Sequence, residues 1–209
     1  MRSTNTVRAV VCIAMLLGYS TSSHAQNAPA GEFSAGWRLL TLPDVPTPNV
    51  PKGETQTLPL GWYADVAGNL TRTFAVVGEV GGNYKSVDET TTLFGTTFNI
   101  DVDVDMHTFM GGVRFNARQN AAFTPYAQAL FGLARGTVHV KGRVTVAGTT
   151  STTVDQSVSD TDFAFDADGG VNFRLSDALA ARVSAGYLRV GGSDGGNAFR
   201  FGVGVVFPF

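Results

Sequence analysis

The stretch that decides the fold is residues 199–209, Phe-Arg-Phe-Gly-Val-Gly-Val-Val-Phe-Pro-Phe. Side chains of an extended strand point alternately to its two faces. One face therefore holds a single charge, Arg200, among small residues, and the other face is wholly apolar. The apolar face carries Phe199, Phe201, Val203, Val205, Phe207 and Phe209.

Seven earlier segments repeat this alternation of an apolar face with a small or polar face, which indicates an all-β chain. They cover residues 33–40, 60–68, 74–84, 107–117, 123–136, 163–173 and 179–190. Short turns alternate with long polar stretches at residues 41–59, 85–100 and 138–161. The first long stretch holds five prolines, which excludes a central strand and predicts a stiff loop.

The first 25 residues have the pattern of a cleaved signal peptide. Arg2 and Arg8 precede an apolar run at residues 9–18, and Ser23-His24-Ala25 supplies small residues at a cleavage site. The apolar run is too short for a membrane anchor. We expect a leader at 1–25, a short lead-in at 26–32 and one domain at 33–209.

Composition excludes several classes of function. The only cysteine lies in the leader, so the mature chain has no thiol chemistry. Without Arg2 and Arg8 the 15 basic residues become 13, against 17 acidic residues. A nucleic-acid partner would call for a basic patch, which this chain lacks. No cofactor motif is present, and no cofactor is expected.

The leader, eight alternating strands and terminal Phe207-Pro208-Phe209 together resemble the small outer-membrane β-barrel proteins, namely the OmpA transmembrane domain, OmpX and the opacity-type surface proteins. The resemblance covers residues 33–209, although no peptidoglycan-binding domain follows. It implies an eight-stranded antiparallel up-and-down transmembrane barrel with short periplasmic turns and long extracellular loops. It also implies location in the outer membrane, contact with lipid including lipopolysaccharide, and recognition of the last strand by the barrel-assembly machinery.

Polar side chains on the inward parity predict a charge network in the lumen. Such a narrow barrel is filled by side chains, and unpaired buried charges are costly. We expect Glu79 to pair with Arg114, and Asp168 with Arg182, because each pair lies on neighbouring strands. A gated ion pathway is the functional alternative. The predicted network comprises Asp65, Glu79, Arg114, Gln128, Asp166, Asp168, Arg182 and Arg200.

Beyond the expected membrane edge the polarity of the two faces reverses. Charged residues take the outward parity, while Val138, Val140, Val144 and Val146 point inward. This pattern predicts a rigid hairpin at about residues 137–161 with a small apolar core. The outward charges are Asp101, Asp103, Asp105, Arg135, His139, Lys141 and Arg143.

These rim charges have three interpretations. The basic residues could bind lipopolysaccharide phosphates, and the three aspartates could bind a divalent cation. The aspartate run lacks the glycine and distal glutamate of a calcium loop, so no metal site is expected. Solvated ion pairing across strands is the third interpretation and the one we expect.

Catalysis has little support in the sequence. Some small barrels are lipid A enzymes with a Ser/His site on the outer wall, but neither His107 nor His139 has a serine at fixed spacing. The pattern favours a non-enzymatic barrel with a structural or adhesin-like role, in which the loops bind any extracellular ligand. A narrow pore is the alternative, and a lipocalin-like barrel with apolar residues inward is the rival fold. Interface girdles are predicted from Trp37, Trp62, Tyr84 and Tyr187 and from Phe115, Phe173 and Phe209.

Overall fold

The structure, a computed structural model, describes residues 29–43, 56–93, 96–120, 122–146, 149–192 and 195–209. The predicted leader lies outside these residues. No helix in the described part of the chain is long and apolar enough to cross a membrane. Nine strands follow in order: β1 (Gly31–Leu42), β2 (Gln56–Leu58), β3 (Leu60–Asn69), β4 (Phe74–Leu93), β5 (Thr96–Asn116), β6 (Phe123–Val146), β7 (Thr149–Arg174), β8 (Ala180–Val190) and β9 (Asn197–Pro208).

Eight of these strands close into a ring. The order is β1-β3-β4-β5-β6-β7-β8-β9, every pairing is antiparallel, and β9 returns to β1 over ten register pairs from Glu32↔Pro208 to Thr41↔Phe199. Closure pairs the backbone polar groups within the ring, as a membrane-spanning sheet requires. The predicted eight-stranded antiparallel barrel is confirmed.

Two boundaries differ from the predictions. The first strand begins at Gly31, so Glu32 belongs to the barrel and not to a lead-in. The stretch predicted as a stiff loop contains β2, which pairs with the end of β1 through Leu40↔Leu58. A strand of three residues at an edge is compatible with the following Pro59, because proline is tolerated at strand ends.

The strands are unequal in length. β1, β3, β8 and β9 have 12, 10, 11 and 12 residues, close to the roughly 9–11 that a membrane-spanning strand needs. β4, β5, β6 and β7 have 20, 21, 24 and 26 residues. The long strands therefore continue beyond the ring as a four-stranded sheet, which we call the extension: residues 85–93, 96–104, 138–146 and 149–158.

The extension corrects one prediction and confirms another. Residues 85–100 are not a polar loop, because β4 and β5 pair without interruption from Lys85↔Val104 to Leu93↔Thr96. The neighbouring strand supplies hydrogen-bond partners that a Thr-rich segment can use. The predicted hairpin at 137–161 is present as β6 and β7, with a bulge between Gly142 and Arg143, and it lies beside Asp101–Asp105 as predicted.

The ring has an apolar outside and a polar inside. Phe109, Phe131 and Phe163 are 57%, 52% and 58% exposed, whereas the inward Arg114 and Arg182 are 0% and 2% exposed. This polarity is the opposite of a lipocalin-like barrel, so the rival fold is wrong.

Small inward residues make room for large ones in the lumen. A Cβ atom on Gly36 of β1 would lie 2.2 Å from the Val203 carbonyl oxygen and 2.8 Å from a ring carbon of Tyr63. One on Gly204 of β9 would lie 2.5 Å from the Tyr63 hydroxyl. These two glycines therefore let β1 and β9 pair closely while the Tyr63 ring occupies the lumen.

Candidate functional site

The lumen holds a layer of charge near the chain termini, the lower layer, formed by Glu32, Asp65, Arg114 and Arg182. Arg182 donates from Nη1 to Asp65 Oδ2 and from Nη2 to Glu32 Oε1, each at 2.9 Å. Arg114 contacts Glu32 and donates to Asp65 Oδ1 at 3.1 Å. Two carboxylates and two guanidiniums make this layer neutral.

Neutral side chains complete the lower layer. Gln128 Oε1 accepts from Arg114 Nε at 2.8 Å, and Asn172 Oδ1 accepts from Arg182 Nε at 2.8 Å. The Tyr126 ring lies 4.9 Å from the Arg114 guanidinium carbon and 4.7 Å from that of Arg182, within cation–π range. Ser34 donates to Asp65 and accepts from Arg182. Buried charges are tolerated when their polar atoms are satisfied in this way.

A second layer, the upper layer, lies farther from the termini and is built around Glu79. Arg38 donates to both Glu79 carboxylate oxygens, at 2.5 and 3.0 Å. Arg200 Nη2 donates to Glu79 Oε1 at 2.9 Å, and its Nη1 lies 3.1 Å from Asp166 Oδ2. All four side chains are almost fully buried.

Asp168 differs from the other lumen acids. It is 6% exposed, and its Oδ1 atom, like both carboxylate oxygens of Asp166, has no hydrogen-bond partner among the described residues, but Asp166 has an ion pair with Arg200 and Asp168 has none. No ion pair in the described part of the chain includes it, so the lumen holds five carboxylates against four guanidiniums: Glu32, Asp65, Glu79, Asp166 and Asp168 against Arg38, Arg114, Arg182 and Arg200.

The predicted lumen residues come together, but the predicted pairs do not form. Glu79 binds Arg38 and Arg200 instead of Arg114, and Arg182 binds Glu32 and Asp65 instead of Asp168. Arginine side chains reach across so narrow a lumen, so the partners lie two or three strands apart around the ring and not on adjacent strands. The sequence prediction missed Glu32 and Arg38. The strand parity already placed Arg38 inward, and starting the strand at Gly31 would have placed Glu32 there too.

An apolar cluster lies beside and above the upper layer. Leu40 and Leu130 are 0% exposed and Leu188 is 1% exposed. Val104, Met106 and Val190 pack against this cluster from the rim. The lumen thus changes from charged near the termini to apolar near the extension.

The periplasm-side turns are joined by arginines. Arg72 Nη2 donates to the Arg118 carbonyl at 3.1 Å, and Arg118 Nη1 donates to the Arg72 carbonyl at 2.9 Å. Burial lowers the pKa of Arg118, and the Arg114 and Arg72 guanidiniums lower it further, while Glu32 acts in the opposite direction. These reciprocal bonds fix the β3–β4 turn against the β5–β6 turn.

On the outside of the extension, acidic β5 lies between β4 and basic β6. The register places Asp101 opposite Lys141 and Asp103 opposite His139. Arg143 Nη2 comes within ion-pair range of Asp101 Oδ2, at 3.7 Å, and Asp103 accepts a hydrogen bond from Ser86 at 2.5 Å. Asp105 and Arg135 also lie on the outward face, at the rim.

The inside of the extension is apolar, but it is not a core. Val138 and Val140 have the inward parity predicted for them, yet Val138 is 40% exposed. The predicted small core is wrong because β1, β3, β8 and β9 end below this face, and no described strand covers it. The side chain of Val146 lies outside the described residues. Exposed members of the inner face are Val87, Phe98, Ile100, Val138, Val154 and Val158.

His107 and His139 have different surroundings. His107 Nε2 lies 3.1 Å from the Tyr84 hydroxyl, and that hydroxyl accepts a hydrogen bond from Trp62 Nε1 at 3.1 Å. His107 therefore belongs to one aromatic group with Tyr84 and Trp62. His139 lies in register between Asp103 and Ser157, the order of a catalytic triad. No hydrogen bond joins these three in the described structure, and a serine nucleophile needs such a contact to its base. The described residues also include no group of three or more potential ligands placed to hold a metal ion.

The last strand presents its aromatic face outward. Phe199, Phe201 and Phe207 are 46%, 49% and 44% exposed. Phe207 stacks on Phe33 of β1 with ring centroids 6.4 Å apart. Phe209 exchanges backbone hydrogen bonds with Gly31 at 3.0 Å, so the end of the chain completes the closure of the ring.

Comparison with known proteins agrees with this geometry. Residues 12–207 match the family model described as the outer membrane protein beta-barrel domain. Ail, the attachment invasion locus protein of Yersinia pestis, is similar in structure, with a TM-score of 0.56 at 18% identity over 87% of this chain and 99% of Ail. Neisserial surface protein A has a TM-score of 0.49 at 10% identity, over 88% of this chain and 100% of its own. The comparison with curated protein sequences gave no match.

This chain belongs to the outer membrane protein beta-barrel family, since the family model covers nearly all of it. It is therefore a protein of the bacterial outer membrane, as the sequence predicted. At 18% identity the likeness to Ail shows the fold alone.

Proposed function

We propose that this protein is a non-enzymatic surface-interaction barrel whose extension contacts partners outside the cell. The observation that supports this most directly is the length of β4–β7, which have 20–26 residues where about 9–11 suffice to span a membrane. At about 3.4 Å per residue, ten to fifteen further residues add roughly 30–50 Å along a strand, and because barrel strands tilt by about 35–45° they project roughly 25–40 Å. Sheet held this far from lipid contributes nothing to spanning, and it presents paired, ordered strands to the exterior.

The charge on the extension favours a protein partner. The Ail structure was also solved in complex with the heparin analogue sucrose octasulfate. In this chain the cations of β6 face a row of aspartates, with Arg143 3.7 Å from Asp101. A sulfated glycan would meet carboxylates beside each cation, which opposes its binding.

The test is to trim the extension and retain the ring. Residues 86–103 and 138–158 are each replaced by Asn-Gly, because the flanking pairs Lys85↔Val104 and Thr137↔Ser159 are in register for a two-residue hairpin turn. Bacteria displaying the full chain should adhere to host cells or immobilised matrix proteins above the vector control. The trimmed barrel should adhere no better than the vector, while it keeps heat-modifiable gel mobility. Equal adhesion by the trimmed barrel, or none by the full chain, contradicts the proposal.

We further propose that the lumen is plugged. Support comes from the four arginines of the two charge layers, each 2% exposed or less, and from the apolar cluster beside them. In planar bilayers the protein should give no stable conductance. Discrete steps from the wild-type chain that change on Glu79→Gln would instead support the alternative of a narrow pore.

The membrane contacts are proposed on the same basis. The outward phenylalanines of β9 suit recognition by the barrel-assembly machinery. Arg135 lies in register with His107, which contacts Tyr84, and this position at the upper end of the ring suits contact with lipopolysaccharide. Phe209→Ala should slow machinery-dependent insertion into proteoliposomes more than Leu70→Ala does. Leu70 is a matched exposed apolar residue in a turn, and equal rates for the two variants would contradict the assembly role.

Expression should leave the lipid A mass spectrum unchanged, and a modified lipid A would contradict the non-enzymatic assignment.

A further inference from the structure

In the extension, no described strand pairs with one long side of β7. β8 pairs with β7 from Arg174↔Ala180 only as far as Ala164↔Val190. Above that point, residues 149–163 pair with β6 alone among the described strands. Unpaired strand edges are templates for the addition of another strand.

The hydrogen bonds identify which backbone groups face the open side. Gly191 N–H donates to the Phe163 carbonyl at 2.8 Å, so Phe163 directs its backbone groups away from β6. In an antiparallel strand the N–H and C=O of one residue point to the same side, and alternate residues share that side. Asp155, Ser157, Ser159 and Thr161 therefore present their backbone groups to the open edge.

This edge has few of the usual protections. The Thr161 N–H is occupied by Asp160 Oδ1 at 2.8 Å, which protects the end next to the ring. Farther out, residues 149–159 contain no proline and are rich in Thr, Ser and Val. Such a sequence is suited to β pairing.

The charge of the edge selects its partner. Residues 154–162 contain three aspartates and no lysine or arginine. Asp155 faces Lys141 across the β6–β7 pair, but Asp160 and Asp162 face Gly136 and Ala134. Two acidic groups thus have no cation opposite them.

The same charge opposes self-association. Two β7 edges paired together would bring like charges onto facing strands, which is destabilising. Pairing with the outer end of β4 would do the same, because Asp88 and Glu89 outnumber Lys85 there. A second copy of this chain is therefore a poor occupant of the edge.

We infer that the open edge of β7 binds an extended basic segment of an extracellular protein by strand addition. Backbone hydrogen bonds to residues 155–159 would hold the segment, and its lysines or arginines would face Asp160 and Asp162. This inference rests on the proposed surface-interaction function and specifies where that interaction occurs.

The first experiment uses the mature chain in nanodiscs and two fluorescent octapeptides of alternating Lys or Glu and Val, read by anisotropy. The Lys peptide should bind and the Glu peptide should not. Ser157→Pro removes an edge N–H without removing a bond to β6, and it should weaken binding of the Lys peptide at least about tenfold. Ser157→Ala, the matched control, should bind as the wild type does. Equal binding by both peptides, or no effect of Ser157→Pro, overturns the inference.

A second variant tests charge without a backbone change. Asp160→Lys combined with Asp162→Lys should reverse the preference from the Lys peptide to the Glu peptide, and unchanged preference overturns the inference.

Dimers of the wild-type protein that Ser157→Pro dissociates would also overturn the inference, because a second copy of the chain would then occupy the edge. The adhesion assay separates the two proposals: adhesion that needs the extension but survives both edge variants overturns the edge site and leaves the proposed function standing.

Discussion

The ring and the extension share the four long strands β4–β7, yet their faces have opposite polarity. On β6 the outward residue Leu133 is followed two positions later by Arg135, and on β7 the outward Phe163 lies two positions from Thr161. The register pairs Leu133 with Phe163 and Arg135 with Thr161. The switch therefore falls on one line across the strands. Alternation itself never changes; what changes is the medium outside, from lipid to water.

The two interiors differ for a second reason. Inside the ring, eight strands enclose every charge, and each arginine is bound by carboxylates. Inside the extension, four strands leave an apolar face open, with Val158 68% exposed. Enclosure makes polar contacts strong and their loss costly, whereas an open face keeps water as an alternative partner.

The largest expected effect is the loss of an enclosed arginine. Arg114→Met leaves Glu32 and Asp65 buried with one guanidinium fewer, which should reduce the free energy of unfolding by about 3–5 kcal/mol. Urea unfolding in lipid vesicles, followed by Trp37 and Trp62 fluorescence, measures it. The matched control is Arg143→Met in the extension, expected within about 0.5 kcal/mol of wild type. Equal effects at both positions would remove the distinction between the two interiors.

The next effect separates lipid from water at two exposed valines. Val113→Arg on the outside of the ring should reduce the free energy of unfolding by about 2–4 kcal/mol if the site is near the bilayer midplane. Val158→Arg inside the extension should change it by no more than about 0.5 kcal/mol. The same vesicle assay compares them. A large loss at Val158 would show that the inner face is covered in the membrane-embedded protein.

Sequence alternation predicts the ring well because lipid imposes one rule on every outward side chain. From Phe199 to Phe209 each second residue is apolar, and the same alternation located the other strands of the ring. The extension was harder, because water accepts Thr, Ser and Asp equally in a loop and in a strand. The sequence of residues 85–93 therefore shows no alternation that predicts a strand. These residues form one because β5 lies beside them and supplies hydrogen-bond partners.

The lumen shows a second limit of sequence reasoning. Parity placed Glu79, Arg114 and Arg182 inside, but it does not say which arginine reaches which carboxylate. That depends on the stagger of the strands around the ring and on side-chain length, which place Arg182 of β8 against Asp65 of β3. The alternation within each strand determines which residues belong to the charge network. The closure of the ring determines which of those residues form ion pairs.

A smaller effect is expected from the unpaired acid of the lumen. Asp168→Asn replaces a buried carboxylate that has no ion pair among the described residues, so the free energy of unfolding at neutral pH should stay equal or rise by up to about 1 kcal/mol. Asp65→Asn is the matched control, since two arginines bind that carboxylate, and it should be destabilising. Strong destabilisation by Asp168→Asn would show that Asp168 is a full member of the network.

The smallest effect is expected on the outside of the extension. A double-mutant cycle of Asp101→Ala and Arg143→Ala should give a coupling energy of about 0–0.5 kcal/mol, because the pair is 3.7 Å apart and its side chains are 27% and 50% exposed. Raising the salt concentration to about 1 M should remove most of that coupling, since the screening length falls to about 3 Å. Unfolding measured at both salt concentrations tests this. A coupling above about 1 kcal/mol that persists in salt would mean that the outer charges are held in a fixed arrangement like those of the lumen, and the contrast between a solvated extension and an enclosed ring would fail at its outer face.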